Sequence, residues 1–269
     1  LAAGTDDETL KAMHQFFGAK SPTNQNEYTG YFQGKNLILI TAEAFSPYVI
    51  DQELTPTLYK LSHEGFVFEN YYQPDWTQST TGGEFAVMTG LIPTWIGGSE
   101  LSFRVSAKDA MPIALGWQFQ KLGYDTLAYH NNTYTYYNRD ASHPNMGYDY
   151  KGLGNGLEVR PTWPESDLEM MELTVPEYVG DTPFHTYYMT VSGHMNYTFL
   201  GNYIAYKNKD RVAHLQMGEN ARAYLACQIE LDLALENLLS QLEAAGQLEN
   251  TVIALSADHY PYGLEPESL

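Results

Sequence analysis

Basic residues are scarce in this sequence. Fourteen Lys and Arg face 33 Asp and Glu over 269 residues, for a formal charge of −19. A chain this acidic has no general field to draw in nucleic acid, and gains no attraction to an anionic membrane surface. An anionic substrate would have to be met by a few local cations or by a metal, which makes acidic and histidine clusters worth locating. Cysteine is scarcer still. Cys227 stands alone, which excludes an internal disulfide and any CxxC metal knot; inside a helical pattern it reads as a small core residue. No apolar run reaches the roughly 18–20 residues of a membrane helix. There is no leader-peptide pattern and no Gly-x-Ser-x-Gly elbow of a serine hydrolase. The chain opens on Leu1 rather than Met and stops on Glu-Ser-Leu, which reads as a piece of something longer.

Hydrophobic residues make up 43% and aromatics 14%, with 22 Tyr, enough to bury a sizeable core. Short apolar runs alternate with helical patterns. The runs 36–41, 66–72, 125–129, 184–191 and 251–256 have strand character. Helices are expected from Asp7 to Phe17, from Pro56 to near Gly65, from Thr81 to Gly90, from Ala107 to Leu122 and from Asn220 to Ala245, where Gly246 follows the last turn. Residues 131–180 read as irregular, and long loops of that kind are often lids or binding segments. The alternation predicts an α/β fold, a mostly parallel central sheet flanked by helices on both faces. An N-terminal helix and connector (1–34) are expected to precede one larger domain (35–269).

In open α/β sheets, ligands bind beyond the carboxyl ends of the strands. Glu43 follows the first run, His130 the third, Ser192, Gly193 and His194 the fourth, and Asp258 and His259 the last. Glu43, Asp258 and His259 form a candidate metal set, since carboxylates and imidazole suit Mn²⁺ or Zn²⁺. The segment Thr77–Phe85 puts four hydroxyls ahead of a helix start. That is either an N-cap cluster or an activated nucleophile beside a phosphate-binding helix end. Arg139 is either a two-point phosphate clamp or an ion-pair partner.

Taken together, these residues resemble the lipoteichoic acid synthase family within the alkaline phosphatase and sulfatase superfamily. Asn36-Leu-Ile-Leu-Ile-Thr-Ala-Glu43 is similar to its first strand and metal-binding Glu, and Leu54-Thr-Pro-Thr-Leu-Tyr-Lys-Leu61 to the helix after it. Ser79-Thr-Thr-Gly-Gly-Glu-Phe85 resembles the nucleophile loop, with Thr80 on the catalytic threonine, which also ligates the metal. Ser256-Ala-Asp-His-Tyr260 resembles the terminal metal motif. His130, Tyr137, Arg139 and His194 fall on substrate contacts. The family's Trp is Tyr137 here, an expected acid is Asn132, and Gly82 and Gly83 replace a more polar pair. The resemblance implies a phosphoglycerol transferase with one divalent metal, Mn²⁺ first and Mg²⁺ or Zn²⁺ as alternatives. It would move glycerol-phosphate from phosphatidylglycerol to a glycolipid or polyglycerol-phosphate acceptor through a phosphorylated Thr80. It also implies cell-wall polymer synthesis at the outer face of a bacterial membrane, an anchor N-terminal to these residues, and a domain continuing past residue 269. The alternatives are a phosphoethanolamine transferase, a phosphodiesterase, a sulfatase, or a non-catalytic surface binding module. The sulfatase lacks support because no C/S-x-P-x-R motif surrounds Ser79.

Overall fold

A computed structural model describes residues 4–72, 80–93, 95–96, 99–100, 102–180 and 182–264. The chain divides between Gly34 and Lys35 into two units. The first holds α1 (Glu8–Gly18), whose N-terminus is capped by the Asp7 carboxylate accepting from the Thr9 and Leu10 amides. None of its residues is buried.

The second unit is built on a six-stranded parallel sheet. In chain order its elements are β1 (Asn36–Ala42), α2 (Pro56–Glu64), α3 (Thr80–Thr89), a two-stranded antiparallel ribbon of β2 (Trp95–Ile96) and β3 (Ser99–Glu100), α4 (Ser102–Ser106), α5 (Leu115–Gln120), β4 (Asp125–Thr133), α6 (Arg139–Asn145), β5 (Asp149–Leu153), β6 (Gly156–Leu157), α7 (Asp167–Thr174), β7 (Phe184–Met189), α8 (Tyr203–Asn208), α9 (Glu219–Ala244) and β8 (Thr251–Ala257). The sheet order is β6-β5-β4-β7-β1-β8, and every neighbouring pair is parallel.

Alternation along β1 explains the layering. Side chains of a strand point to opposite faces in turn. Ile38, Ile40 and Ala42 join one apolar cluster with Leu235, Leu238 and Leu242 of α9 and Met170 and Met171 of α7, whereas Leu39 joins a second with Phe85 and Met88 of α3 and Phe103 of α4. The sheet is thus covered on both faces, as the sequence predicts. Cys227 lies in the α9 core, fully buried.

Three sequence expectations change. The run 66–72 is not a strand. Its aromatic and β-branched content suits one, but no described strand pairs with it, and Phe66, Phe68, Tyr71 and Tyr72 are exposed. Of the single helix expected over 107–122, only Leu115–Gln120 forms. Pro112 disfavours helical geometry at Met111, whose amide instead donates to the Asn145 carbonyl; the helical segments flanking it are α4 and α5. Residues 131–180 are not irregular, since they carry the end of β4, α6, β5, β6 and α7. The two strands there are short and weakly apolar, so periodicity gives little signal. Among the described residues, no helix is long and apolar enough to cross a membrane.

Candidate active site

The carboxyl end of β1 is where the site begins. Glu43 follows its last residue and is buried. Its amide donates to Thr190 Oγ1 (3.0 Å), and its carbonyl accepts from Gln228 Nε2 of α9 (3.2 Å). Gly193 packs so closely that a Cβ there would stand 2.2 Å from the Glu43 carbonyl oxygen; only glycine fits. Ala44 then adopts φ +50°, a left-handed conformation that costs a residue with a Cβ about 1 kcal/mol or more. The strain has a use: it turns the Ala44 amide toward Asp258, donating to Oδ1 at 2.8 Å. Tyr224 Oη holds the Ala44 carbonyl at 2.8 Å.

Asp258 and His259 leave the end of β8, the neighbour of β1. Asp258 Oδ1 accepts from the Ala44 and His259 amides, both at 2.8 Å, which fixes the carboxylate and leaves Oδ2 for the site. His259 Nδ1 lies 3.0 Å from the Tyr260 carbonyl. A carbonyl can only accept, so Nδ1 carries a proton there, and Nε2 is the nitrogen that faces the carboxylates. That Nε2 stands 3.1 Å from Asp258 Oδ2 and 3.4 Å from Glu43 Oε1. Ligand atoms of all three residues lie within 4.8 Å of one another, and all three are buried. Burial first, and the adjacent Asp258 charge second, push the Glu43 carboxyl well above its ordinary range. Two carboxyl groups and an imidazole nitrogen converging out of water are a donor set that fits a divalent cation, which would relieve the repulsion between the carboxylates. The sequence expectation for these three residues is a real cluster in space.

Thr80 opens α3 and is half-buried; Ser79 and the hydroxyls before it lie outside the described residues. One turn along α3, Gly83 lies against the Asp258 backbone, where a Cβ would stand 2.1 Å from the carbonyl oxygen. Helix and strand touch backbone to backbone. Gly83, one of the departures from the family pattern, therefore has a physical reason: it brings the helix that begins at Thr80 against the strand end that carries Asp258.

Arg139 begins α6, after Tyr137 and Asn138, both with positive φ (+58° and +60°). It is buried and pairs with Glu84 of α3. Nε approaches Glu84 Oε1 and Oε2 at 3.3 and 3.2 Å, and Nη2 donates to Oε2. Burial opposes the Arg139 charge, but Glu84 outweighs it and holds the guanidinium firmly protonated. Tyr137 covers it, ring to guanidinium carbon 5.3 Å. Of the two readings of Arg139, the ion-pair partner is the one seen here; among the described residues its Nη1 makes a long 3.4 Å contact with the Tyr136 carbonyl.

His130 lies within β4 rather than after it. Its Nδ1 donates to the Met189 carbonyl (3.0 Å), so its Nε2 is an acceptor. Burial, and next the Arg139 charge, depress its pKa well below normal; it is a neutral ring suited to a hydroxyl rather than to phosphoryl charge. His194 donates Nδ1–H to the Met195 carbonyl (2.6 Å) and packs edge-on to Trp163, centroids 4.8 Å apart. Arg139 acts electrostatically on Glu43 and His130, and His194 on His130, so these groups share one neighbourhood.

Sequence reasoning singled out neither Glu84 nor Asp167. Asp167 Oδ1 accepts from the Val191 amide (2.9 Å) and Asn131 Nδ2 (2.9 Å), while its own amide donates to Ser192 Oγ (2.8 Å). It ties the turn before His194 to the residue after His130. Nothing local in the sequence marks it except the Ser166 cap that precedes it.

The chain thus presents a parallel sheet covered by helices on both faces, with a carboxylate–histidine cluster at its strand ends. The chain belongs to the sulfatase family, whose model matches residues 35–267. Within that family it is similar to lipoteichoic acid synthase 1 of Bacillus subtilis strain 168, 26% identical over 279 residues, covering 96% of this chain and 41% of the relative. Lipoteichoic acid synthase of Staphylococcus aureus is likewise 26% identical over 283 residues, covering 96% and 41%. The chain spans about two-fifths of the length of these relatives. In fold it resembles the lipoteichoic acid synthase LtaP from Listeria monocytogenes (TM-score 0.74, 23% identity, 93% of this chain and 62% of that one). It also resembles the Streptococcus pyogenes phosphoglycerol transferase GacH solved with sn-glycerol-1-phosphate (TM-score 0.61, 15% identity, 97% and 68%).

Proposed function

We propose that this chain carries the catalytic centre of a metal-dependent phosphoglycerol transferase, with Thr80 as nucleophile. The observation that carries the reading is the buried Glu43–Asp258–His259 cluster, whose Asp258 backbone is in contact with the helix that Thr80 begins. A cluster of unbalanced carboxylates is costly unless an outside cation completes it, and a nucleophile-bearing helix packed on it suits group transfer better than simple binding.

Glu43, Asp258 and His259, with Thr80, would hold one divalent cation, Mn²⁺ in the first instance. Bound there, it supplies Lewis-acid chemistry, lowering the cost of negative charge on the reacting oxygens. The Thr80 hydroxyl loses its proton and attacks the phosphorus of phosphatidylglycerol. The bond to the diacylglycerol oxygen breaks, and that oxygen takes up a proton. Glycerol-phosphate is left as an ester on Thr80. An acceptor hydroxyl of a glycolipid or polyglycerol-phosphate chain then attacks the same phosphorus and returns the threonine. Arg139 faces the phosphoryl oxygens with the donors Glu84 leaves over. Neutral His130 accepts from a glycerol hydroxyl, and Tyr137 lines the same contact. His194, with Nδ1 committed to a carbonyl, keeps Nε2 for proton traffic. The similarity to lipoteichoic acid synthases supports this donor, a membrane anchor N-terminal to these residues, and action at the outer face of a bacterial membrane. Cys227, deep in the α9 core with its thiol pushed up by burial, does not support a sulfatase-type nucleophile.

The test is release of labelled diacylglycerol from fluorescent phosphatidylglycerol in the presence of Mn²⁺, beside a Thr80→Ala control. Metal-dependent release that the control lacks supports transfer. Equal release by both removes Thr80 from the chemistry.

A further inference from the structure

We propose that Glu84 is a positioning residue for this transfer, holding the phosphate-facing guanidinium and the nucleophile's helix in one geometry. The inference rests on the phosphotransfer reading above. Glu84 is fully buried and lies one helical turn after Thr80 on α3. Its carboxylate grips one edge of Arg139, engaging Nε and Nη2 and leaving the Nη1 end outside the pair. Tyr187 Oη of β7 donates to Glu84 Oε1 (3.2 Å) and stands 3.0 Å from Thr41 Oγ1 of β1. One carboxylate therefore joins α3, α6, β7 and β1. A long flexible arginine would otherwise sample many rotamers, and fixing it beforehand removes that entropy cost from phosphate binding. An arginine gripped along one edge also presents its remaining N–H groups in one plane, the arrangement a phosphate accepts.

A purely structural ion pair would have a different signature. It would set how much of the protein is folded, but not how well each folded molecule binds phosphate. Titration calorimetry of the Mn²⁺-loaded protein with sn-glycerol-1-phosphate separates the two, with diacylglycerol release measured alongside. We expect Glu84→Gln to weaken binding by about tenfold or more per folded molecule, and the Glu84→Gln/Arg139→Gln double variant to bind no worse than Arg139→Gln alone, because Glu84 acts through Arg139. Wild-type affinity in Glu84→Gln, or losses that add in the double variant, would overturn the proposal. Should Glu84→Gln fail to fold, Glu84→Asp keeps the charge but withdraws the carboxylate by one methylene. About three- to tenfold weaker binding is then expected, and unchanged binding overturns the idea. Tyr187→Phe, which removes one donor and no charge, should give the same sign at smaller size. Arg139→Gln with wild-type affinity would also overturn it, while leaving Thr80 chemistry standing. Conversely, a wild-type protein that binds glycerol-phosphate through the pair yet releases no diacylglycerol sinks the transfer reading and overturns the proposal as a role in transfer, leaving Glu84 to position Arg139 for phosphate binding alone.

Discussion

Two of the buried acidic sites at the carboxyl end of this sheet, Glu84 and the Glu43–Asp258 pair, are built on opposite plans. Glu84 comes with its counter-ion. Arg139 meets it along one edge and Tyr187 donates to it, so the group is complete without any visitor. Glu43 and Asp258 stand side by side against His259, two like charges within one buried cluster. Burial raises the pKa of both glutamates, but Arg139 pulls against it strongly at Glu84, whereas Asp258 adds to it at Glu43. The lesson is that burial alone does not mark a functional carboxylate. What marks it is burial without internal compensation, because the missing charge must come from outside.

The same substitution at the two glutamates should therefore give different answers. In the presence of a chelator, Glu84→Gln leaves a buried arginine unpaired and should cost about 3–5 kcal/mol of stability. Glu43→Gln removes no counter-charge and should stay within about 1 kcal/mol of wild type. Denaturant melts of both variants check this, and equal losses would erase the contrast. Adding metal should reverse the roles. At about a hundredfold excess over its dissociation constant, Mn²⁺ should stabilise the wild-type protein by about 2.7 kcal/mol. It should do nothing for Glu43→Gln and should still act on Glu84→Asp.

A third buried ionisable group lies apart from both clusters and serves as a control. His185 donates Nδ1–H to the Leu37 carbonyl (3.2 Å), and its Nε2 is 2.9 Å from Tyr148 Oη. Burial lowers its pKa to about 4. The unfolded chain takes up a proton below about pH 6.5, while the folded one stays neutral until about pH 4. Stability is therefore full above 6.5 and is lost as pH falls through that window, by about 2 kcal/mol at pH 5. In His185→Gln this part of the acid sensitivity should vanish whether or not metal is present. The smallest effect is expected at Ala44. Ala44→Gly relieves the positive φ and should raise stability by about 1 kcal/mol with metal affinity retained, as scored by melting and equilibrium dialysis. A loss of affinity would mean that the Cβ itself holds the Ala44 amide on Asp258.

Much of this was legible in the sequence, for identifiable reasons. The strands that build the middle of the sheet and its β8 edge are continuous apolar runs, and Glu43, Asp258 and His259 follow two of them directly. A rule about strand ends is enough to group them. The short strands β5 and β6 escaped because Asp149-Tyr-Lys-Gly-Leu153 carries too few apolar residues to show a period. The segment 66–72 misled for the converse reason: it has the composition of a strand but no described partner strand. Glu84 stayed hidden because its meaning lies 55 residues away at Arg139. Gly83 read as a departure from a pattern until the Asp258 backbone was seen against it. Pairings across such distances leave no local trace in a single sequence.

The separation between the two halves of the cation site has a consequence for timing. Ala44 and Asp258 are 214 residues apart in the chain, yet their hydrogen bond sets the geometry of the site. A chain emerging from its amino end carries Glu43 early and can do nothing with it. The site comes into being only when β8 docks beside β1 at the edge of the sheet, after every other strand described here has been made. Metal capture therefore reports the docking of β8 on β1, and a cation supplied in trans should protect β8 from opening more than the other strands described here.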